Sequence, residues 1–554
     1  MTRIHSHGGS PPYRRRRSRA RTVALAIASL AVTGGVGYWG YATLVARDGS
    51  EDPRVVAAKG HLAKFLDAWE AGDAQRAGGL TDNPGNARSL IASVMTNLKP
   101  SKTEISAGTG ERKAEGRVDV PFRVAMTLPG AGDYAWDSRA TVVRTGGTWK
   151  VEFRTPMVHP DMVPGQTLAL KSRERAPILD ANGHALRAAS LVGQVDPRTG
   201  KGVSGLQARY DEQLTGGPGP SRFVVVVDRG SGQVVKWLTG TGASPGKPVR
   251  TTIDPRVQEA AAEALDGVEK NAAIVAIDPS NGHILAAANM PAGMNRALEG
   301  RYPPGSTFKV VTAAALLRQG MKPSDPGACP KYAYVNGQRF ENQGQFVLPE
   351  GATLRDDFAH SCNTFFVNSR GRLSASALHD TAAAFGIGGT WDVGTATYDG
   401  SVPVATSDND KAAATIGQAR VQASPLVMAS TAATVKAGVF KQPVLVPAAV
   451  KKRYQAPARL DPAVVASLRS MMRSTVTDGA GRALQDIPGE PHAKTGTAEF
   501  GTDTPPRTHA WMIGYQRNQN LAWSVLLEDG GSGGTDAGPI AAKFLRTLAG
   551  SSRR

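Results

Sequence analysis

The stretch that most constrains this chain is Tyr302-Pro303-Pro304-Gly305-Ser306-Thr307-Phe308-Lys309-Val310-Val311-Thr312. Two prolines and a glycine make a rigid turn that cannot lie inside a helix. The residues after it read as helix: Phe308, Val310, Val311, Leu316 and Leu317 are apolar, and Gly320 stands where a C-terminal glycine belongs. The pattern predicts a buried helix from Ser306 to about Gln319, opened by Ser306, with Lys309 one turn on along the same face. A serine hydroxyl titrates far above neutral pH and needs a base to become a nucleophile. A desolvated lysine one turn away can serve, and a helix N-terminus favours the negative charge that develops. Taken alone, the spacing also fits a capped helix with one snorkelling lysine.

Two further segments follow in order: His360-Ser361-Cys362-Asn363-Thr364-Phe365-Phe366, and His492-Ala493-Lys494-Thr495-Gly496-Thr497-Ala498-Glu499. The set S-x-x-K, S-x-N and K-T-G is the signature of the penicillin-recognising serine acyltransferases. The sequence resembles the transpeptidase domain of class B penicillin-binding proteins. The likeness extends to Ile416-Gly417-Gln418, to Ser424-Pro425-Leu426 and to His509-Ala510-Trp511-Met512-Ile513-Gly514-Tyr515.

That resemblance implies a role for each motif residue. Ser306 attacks the carbonyl of a terminal D-Ala-D-Ala peptide and leaves an acyl-enzyme. Lys309 takes the serine proton, Ser361 relays it to the leaving amine, and Asn363 hydrogen-bonds the substrate amide or holds Lys309. Lys494 adds positive charge across the cleft, which favours a neutral Lys309 and draws the substrate carboxylate, and the Thr495 and Thr497 hydroxyls also bind that carboxylate. Gly496 lets the strand backbone approach the substrate, and the N–H groups of Ser306 and Thr497 form the oxyanion hole. The implied partners are peptidoglycan stem peptides, β-lactams, the cytoplasmic membrane and a glycosyltransferase of the wall-synthesis machinery, with no cofactor and no metal. His360, His492 and His509 flank motifs, but no hydroxyl is paired with them, so they read as packing. Cys362 reads as a small packed hydrophobe facing away from the site, and Glu499 as a rim carboxylate.

Net charge is +18, but seven arginines with no acid fall in the first 21 residues, leaving +11 on the other 533. The remainder has no basic stripe interleaved with aromatics, so nucleic acid is excluded as the partner, and an anionic wall or membrane fits the excess. Residues 22–46 carry no charge, a span of 25 residues that suffices to cross a bilayer once. Tyr38, Trp39 and Tyr41 lie toward its far end, and the arginines on the near side predict the N-terminus inside and the bulk outside. The rival is a cleaved signal peptide, but the span is long for one and has no convincing small-x-small site at its end. Two cysteines, Cys329 and Cys362, exclude a disulfide scaffold and a metal framework and leave a single bridge open.

The expected organisation is a cytoplasmic basic tail (1–21), a transmembrane anchor (22–46), an α+β cone-like module (52–158), a non-catalytic linker domain (160–247) and the transpeptidase-like domain (248–550). In the α+β module Leu62, Phe65, Leu66 and Trp69 share one helix face, and Arg117–Leu128, Tyr134–Val143 and Trp149–Phe153 read as strands. It resembles the nuclear-transport-factor-like domain of low-affinity penicillin-binding proteins. In the linker, Arg175-Ala176-Pro177-Ile178-Leu179-Asp180-Ala181-Asn182-Gly183 and Gly205-Leu206-Gln207-Ala208-Arg209-Tyr210-Asp211 resemble family blocks, with Ala176, Ala181 and Gln207 departing from them. The expected fold class is mixed α/β: a mixed sheet with helices on both faces, and a helical subdomain between Ser306 and Lys494. Gly400–Lys411 reads as a surface loop.

Two other functions compete with transpeptidation. A β-lactamase or DD-carboxypeptidase would hydrolyse the acyl-enzyme; the anchor, the extra modules and S-C-N in place of S-D-N weigh against it. A non-catalytic β-lactam-binding scaffold would tolerate the loss of Ser306 or Lys309, and both are present.

Overall fold

The computed structural model describes residues 52–240, 245–503 and 505–551. The basic tail and the span 22–46 lie outside the described residues. Among the described residues no helix is long and apolar enough to cross a membrane.

The N-terminal module begins with the helix Pro53–Glu70, whose Asp52 cap accepts from the Arg54 N–H. Leu62, Phe65, Leu66 and Trp69 are buried on one stripe, and Trp69 packs edge-on against Phe122 with ring centroids 6.2 Å apart. Helices Ala74–Gly79 and Pro84–Leu98 follow, then five strands. Arg117–Leu128 alternates buried Val118, Val120, Phe122, Val124, Met126 and Leu128 with exposed or half-exposed neighbours. Gly132–Thr145 and Thr148–Glu152 continue the sheet. Strands Lys102–Ala107 and Glu111–Ala114 were not legible in the sequence. They bury no residue, so no apolar alternation marks them.

The linker module is a three-stranded antiparallel sheet, Gln166–Ser172 with Arg222–Asp228 and Val234–Trp237. Arg175 ties its two sequence blocks together: the guanidinium donates to Asp211 Oδ1 at 2.6 Å and to Gln207 Oε1 at 2.7 and 3.0 Å. Gln207, where the family block has glutamate, therefore still serves as the acceptor for Arg175, without the charge.

The C-terminal domain is organised on five strands in the spatial order Ile284–Met290, Ala272–Ile277, Leu521–Leu527, Arg507–Gln516, Pro491–Phe500. The expected mixed sheet is corrected here, since every pairing is antiparallel. The last three strands form a meander of hairpins, and the first two a hairpin of their own that adds at Leu521–Leu527. Both faces are covered, which is why Ala272–Ile277 is buried at every position. Ala273, Val275 and Ile277 face one core with Phe308, Val311 and the helix Pro425–Ala437. Ala272, Ile274 and Ala276 face a second core with the helices Pro255–Leu265 and Gly538–Ser551.

Two local expectations need correction. The predicted single helix from Ser306 is a 3₁₀ turn, Gly305–Phe308, followed by an α-helix, Lys309–Arg318. The stretch Gly400–Lys411 is only partly loop, because Ser407 caps a helix over Asp408–Thr415 by accepting from Asp410 N–H. Its first turn is acidic and polar, and only Ala412, Ala414 and Thr415 are buried, so the apolar signal begins past the cap.

Candidate active site

Gly305 holds the nucleophile turn in place. Its φ of +52° lies in the left-handed region, and a Cβ there would sit 2.4 Å from the Thr497 carbonyl oxygen. Only glycine satisfies both demands. The turn is anchored on each side. Gly305 N–H donates to Gly417 O at 3.0 Å, Tyr302 pairs with Ala423, and Trp511 Nε1 donates to Pro303 O at 3.2 Å. Gly417, Ala423 and Trp511 thus act as part of the frame of Ser306.

The first two motifs meet at one amide. Lys309 Nζ donates to Asn363 Oδ1 at 2.6 Å, to the Ser361 carbonyl at 2.8 Å and to Ser361 Oγ at 3.4 Å. Ser306 Oγ donates to the same Asn363 Oδ1 at 3.4 Å. The orientation of Asn363 is set from behind, where its Nδ2 donates to Glu341 O at 2.9 Å. Asn342, which the sequence did not single out, fixes the motif backbone. Its Oδ1 accepts from Asn363 N–H and Thr364 N–H at 2.8 and 3.2 Å, and its Nδ2 donates to Phe346 O at 2.8 Å. Ser361 itself sits at φ +66°, a conformation that non-glycine residues seldom adopt. Cys362 does face away from the cleft, but it is not a free packed thiol: it forms a disulfide with Cys329. A reading of spacing alone cannot supply that pairing.

The third motif lies on the edge strand Pro491–Phe500. Thr495, Gly496 and Thr497 line an open cleft of about 1380 Å³ together with Ser306, Ser361 and Asn363. Lys309 and Lys494 do not line it; each is 0% exposed. Lys494 Nζ donates to Thr495 O at 3.0 Å and lies 5.6 Å from the Phe358 ring. Its charge therefore reaches the cleft through the field, not by contact. Burial brings the Lys494 ammonium down to about 7. Burial also holds Lys309 well below the ordinary lysine range, with the charge of Lys494 adding to the shift. A shift in that direction favours the uncharged amine, the form that is able to accept a proton.

Gly496 serves a packing need first. A Cβ there would meet Thr307 Cγ2 at 2.7 Å and Thr307 N at 2.9 Å, so the freed space belongs to the nucleophile turn. Gly496→Ala is expected to push that turn off its position, at about 1–3 kcal/mol of stability and on the order of 10²-fold in acylation rate. Thermal melting and penicillin acylation rates check this; values matching the unsubstituted protein in both would show that the turn yields freely. Thr497 Oγ1 donates to Gln343 Oε1 at 3.0 Å and accepts from Gly533 N–H at 3.3 Å. Gln343 and Gly533 are two more cleft residues that the motifs did not reveal.

The remaining polar neighbours divide between packing and rim. His492 stacks on Tyr515 at 4.7 Å, and His509 stacks on Phe500 at 4.0 Å, with burial lowering the His509 imidazole to about 4. Both are packing residues. His360 and Glu499 border the cleft, and burial, then Glu341, raises the Glu499 carboxyl.

A hydroxyl nucleophile, a buried low-pKa lysine and a strand edge beside an open cleft define a serine acyltransferase of the penicillin-recognising fold. Comparison with known proteins agrees. The family model for the penicillin-binding protein transpeptidase domain matches residues 272–546, and the model for the NTF2-like N-terminal transpeptidase domain matches residues 57–166. Peptidoglycan D,D-transpeptidase PbpA of Mycobacterium tuberculosis is 34% identical over 369 residues, covering 54% of this chain and 72% of the relative. PbpA of Mycolicibacterium smegmatis is 33% identical over 370 residues, with the same two shares, 54% and 72%. The penicillin G acyl-enzyme structure of penicillin-binding protein A from M. tuberculosis superposes with a TM-score of 0.57 at 26% identity, covering 69% of this chain and 100% of that one. The chain belongs to the class B penicillin-binding protein transpeptidases.

Proposed function

We infer that this chain is a peptidoglycan D,D-transpeptidase that works through a serine acyl-enzyme and is acylated by β-lactams. The observation that carries the reading is the convergence of Ser306 Oγ and Lys309 Nζ on Asn363 Oδ1, with the lysine fully buried and the serine open to a cleft. Ser306 Oγ attacks the substrate carbonyl while its proton passes to Lys309. Ser361 Oγ, within reach of Lys309 Nζ, returns that proton to the leaving amine. Thr495 and Thr497 offer hydroxyls to the substrate carboxylate, and the backbone N–H groups of Ser306 and Thr497 receive the oxyanion. An amine of a neighbouring stem peptide then takes the acyl group.

Transfer rather than hydrolysis is expected, because water needs a base to attack the acyl-enzyme. Of the nine acids between Asn363 and Lys494, Asp478 alone borders the cleft. It is exposed, and its Oδ2 accepts from Thr477 Oγ1 at 2.7 Å. Labelling with fluorescent penicillin, followed by a time course of intact mass, should find an adduct lasting minutes or longer, with little nitrocefin turnover. Rapid steady-state nitrocefin hydrolysis dependent on Ser306 would make the chain a hydrolase.

The span 22–46, preceded by the arginine cluster, supports a single-pass anchor with the N-terminus in the cytoplasm and the catalytic domain outside. A membrane-bound enzyme of this kind would draw its glycan strands from a separate glycosyltransferase. N-terminal sequencing of membrane-extracted protein should recover the start of the chain; a new terminus near Arg47 would replace the anchor by a cleaved signal.

A further inference from the structure

One buried ionisable group near the site has no task in the acyl-transfer steps. Asp357 lies on the short helix Leu354–Ala359, ahead of the second motif, and is 0% exposed. Neither carboxylate oxygen has a hydrogen-bond partner among the described residues. The carboxylate and the sulfurs of Cys329 and Cys362 lie within 4.8 Å of one another. Because both thiols are consumed by the disulfide, this is not a metal site. The room for Oδ2 is the missing side chain of Gly327, whose Cβ would come within 1.9 Å of it. A carboxylate so enclosed is costly to ionise unless a cation answers it.

Among the described residues, the cation whose charge bears on it is Lys309. The backbone links the segments that carry the two groups. Asp357 O accepts from Cys362 N–H at 2.8 Å, and the residues on either side of Cys362 supply the acceptors of Lys309 Nζ, Ser361 O and Asn363 Oδ1. The other charged groups that bear on the pair are Asp356 on Asp357 and Lys494 on Lys309. Asp356 is already engaged in the capping box with Thr353.

We propose that Asp357 is a positioning residue for acylation, its carboxylate supplying the counter-charge that stabilises Lys309 while that lysine holds the Ser306 proton. The proposal rests on reading Ser306 as nucleophile and Lys309 as base. In acylation by a penicillin, the Ser306 O–H bond breaks as an N–H bond forms on Lys309, and Oγ bonds to the lactam carbonyl carbon. The lactam C–N bond then breaks with its electron pair going to nitrogen, which takes the proton, so Lys309 ends uncharged. Asp357 exchanges no atom and acts only by its field. Burial raises its carboxyl to about 7, so it gains charge through the neutral range. A negative Asp357 favours the ammonium form of Lys309. Its removal therefore lowers the lysine further, extends the uncharged base to lower pH, and withdraws the counter-charge from the transition state.

The test is the second-order rate of benzylpenicillin acylation of the full chain from about pH 5 to 9, a range that brackets the value of about 7 for the Asp357 carboxyl. It compares the unsubstituted protein, Asp357→Asn, and Asp380→Asn, which makes the same charge change at an exposed site. Asp357→Asn should move the acid limb down by roughly one pH unit and lower the plateau roughly tenfold, while Asp380→Asn should superimpose on the unsubstituted protein. Superposition of Asp357→Asn, or a lower plateau with an unmoved limb, overturns the proposal; the latter is what a purely structural role would give. Should Asp357→Asn fail to fold, infrared difference spectra of unsubstituted protein labelled with ¹³C-aspartate decide the matter. A buried carboxyl that ionises across that range and responds to Ser306 acylation supports the proposal, and one that stays protonated throughout overturns it. Failure of the unsubstituted protein to acylate at all would instead defeat the transpeptidase reading.

Discussion

Ser306→Ala is expected to carry no penicilloyl adduct at any penicillin concentration, because Ser306 is the hydroxyl held on the nucleophile turn ahead of Lys309, while Ser361, whose Oγ also lies 3.4 Å from Lys309 Nζ, serves the proton relay. Among the described residues Ser306 Oγ has one hydrogen bond, to Asn363 at 3.4 Å. Losing it costs at most about 1 kcal/mol, so the variant should melt close to the unsubstituted protein. Intact mass after penicillin treatment, together with a melting curve, checks both halves. An adduct that persists in a folded Ser306→Ala would move the nucleophile elsewhere and undo the assignment of the whole cleft.

Replacing Lys309 by methionine should slow acylation by about 10²–10⁴-fold, the contribution expected of a positioned proton acceptor. Methionine keeps most of the volume in a site that is 0% exposed. It leaves the Ser361 carbonyl and Asn363 Oδ1 without their donor, at about 1–3 kcal/mol each, but removes the penalty of burying an amine. The two effects oppose, so stability should change far less than rate. In the unsubstituted protein the sign of the pH dependence follows from the lysine. Its pKa is held well below the ordinary 10.5 by burial and by Lys494, which favours the uncharged base. Acylation therefore rises as pH climbs through that lowered value and falls below it. An acylation rate for Lys309→Met within a few-fold of the unsubstituted protein would take lysine out of the base role.

The structure brings together all eight motif residues named from the sequence, though not in the manner expected. Ser361 and Asn363 hold Lys309, Thr495 to Thr497 form a wall of the cleft, and Lys494 is withdrawn behind that wall. The supports were harder to read. Asn342 and Gln343 belong to a polar stretch with no recognisable pattern. Yet Asn342 is buried and ties Pro330 and Phe346 to the second motif. Asp357 looks in sequence like an ordinary first-turn acid beside Asp356, since both favour a helix N-terminus. Only one of the two carboxylates points at the cap.

The sequence by itself determined what is local. It determined the helix faces, through the stripe of Leu62, Phe65, Leu66 and Trp69. It determined the half-buried strand Arg117–Leu128, through its alternation, and the chemistry of three short motifs whose residue types leave few other uses. These signals survive because each depends on neighbours within one turn or one pleat. Only the tertiary structure decided which strands adjoin, that every pairing in the catalytic sheet is antiparallel, that Cys329 meets Cys362, and that Gly305 and Gly496 are forced by contact with Thr497 and Thr307. It also decided the charge state of Lys309. Desolvation and the field of Lys494 set that state, and both come from residues distant in the chain that meet only when the cores close.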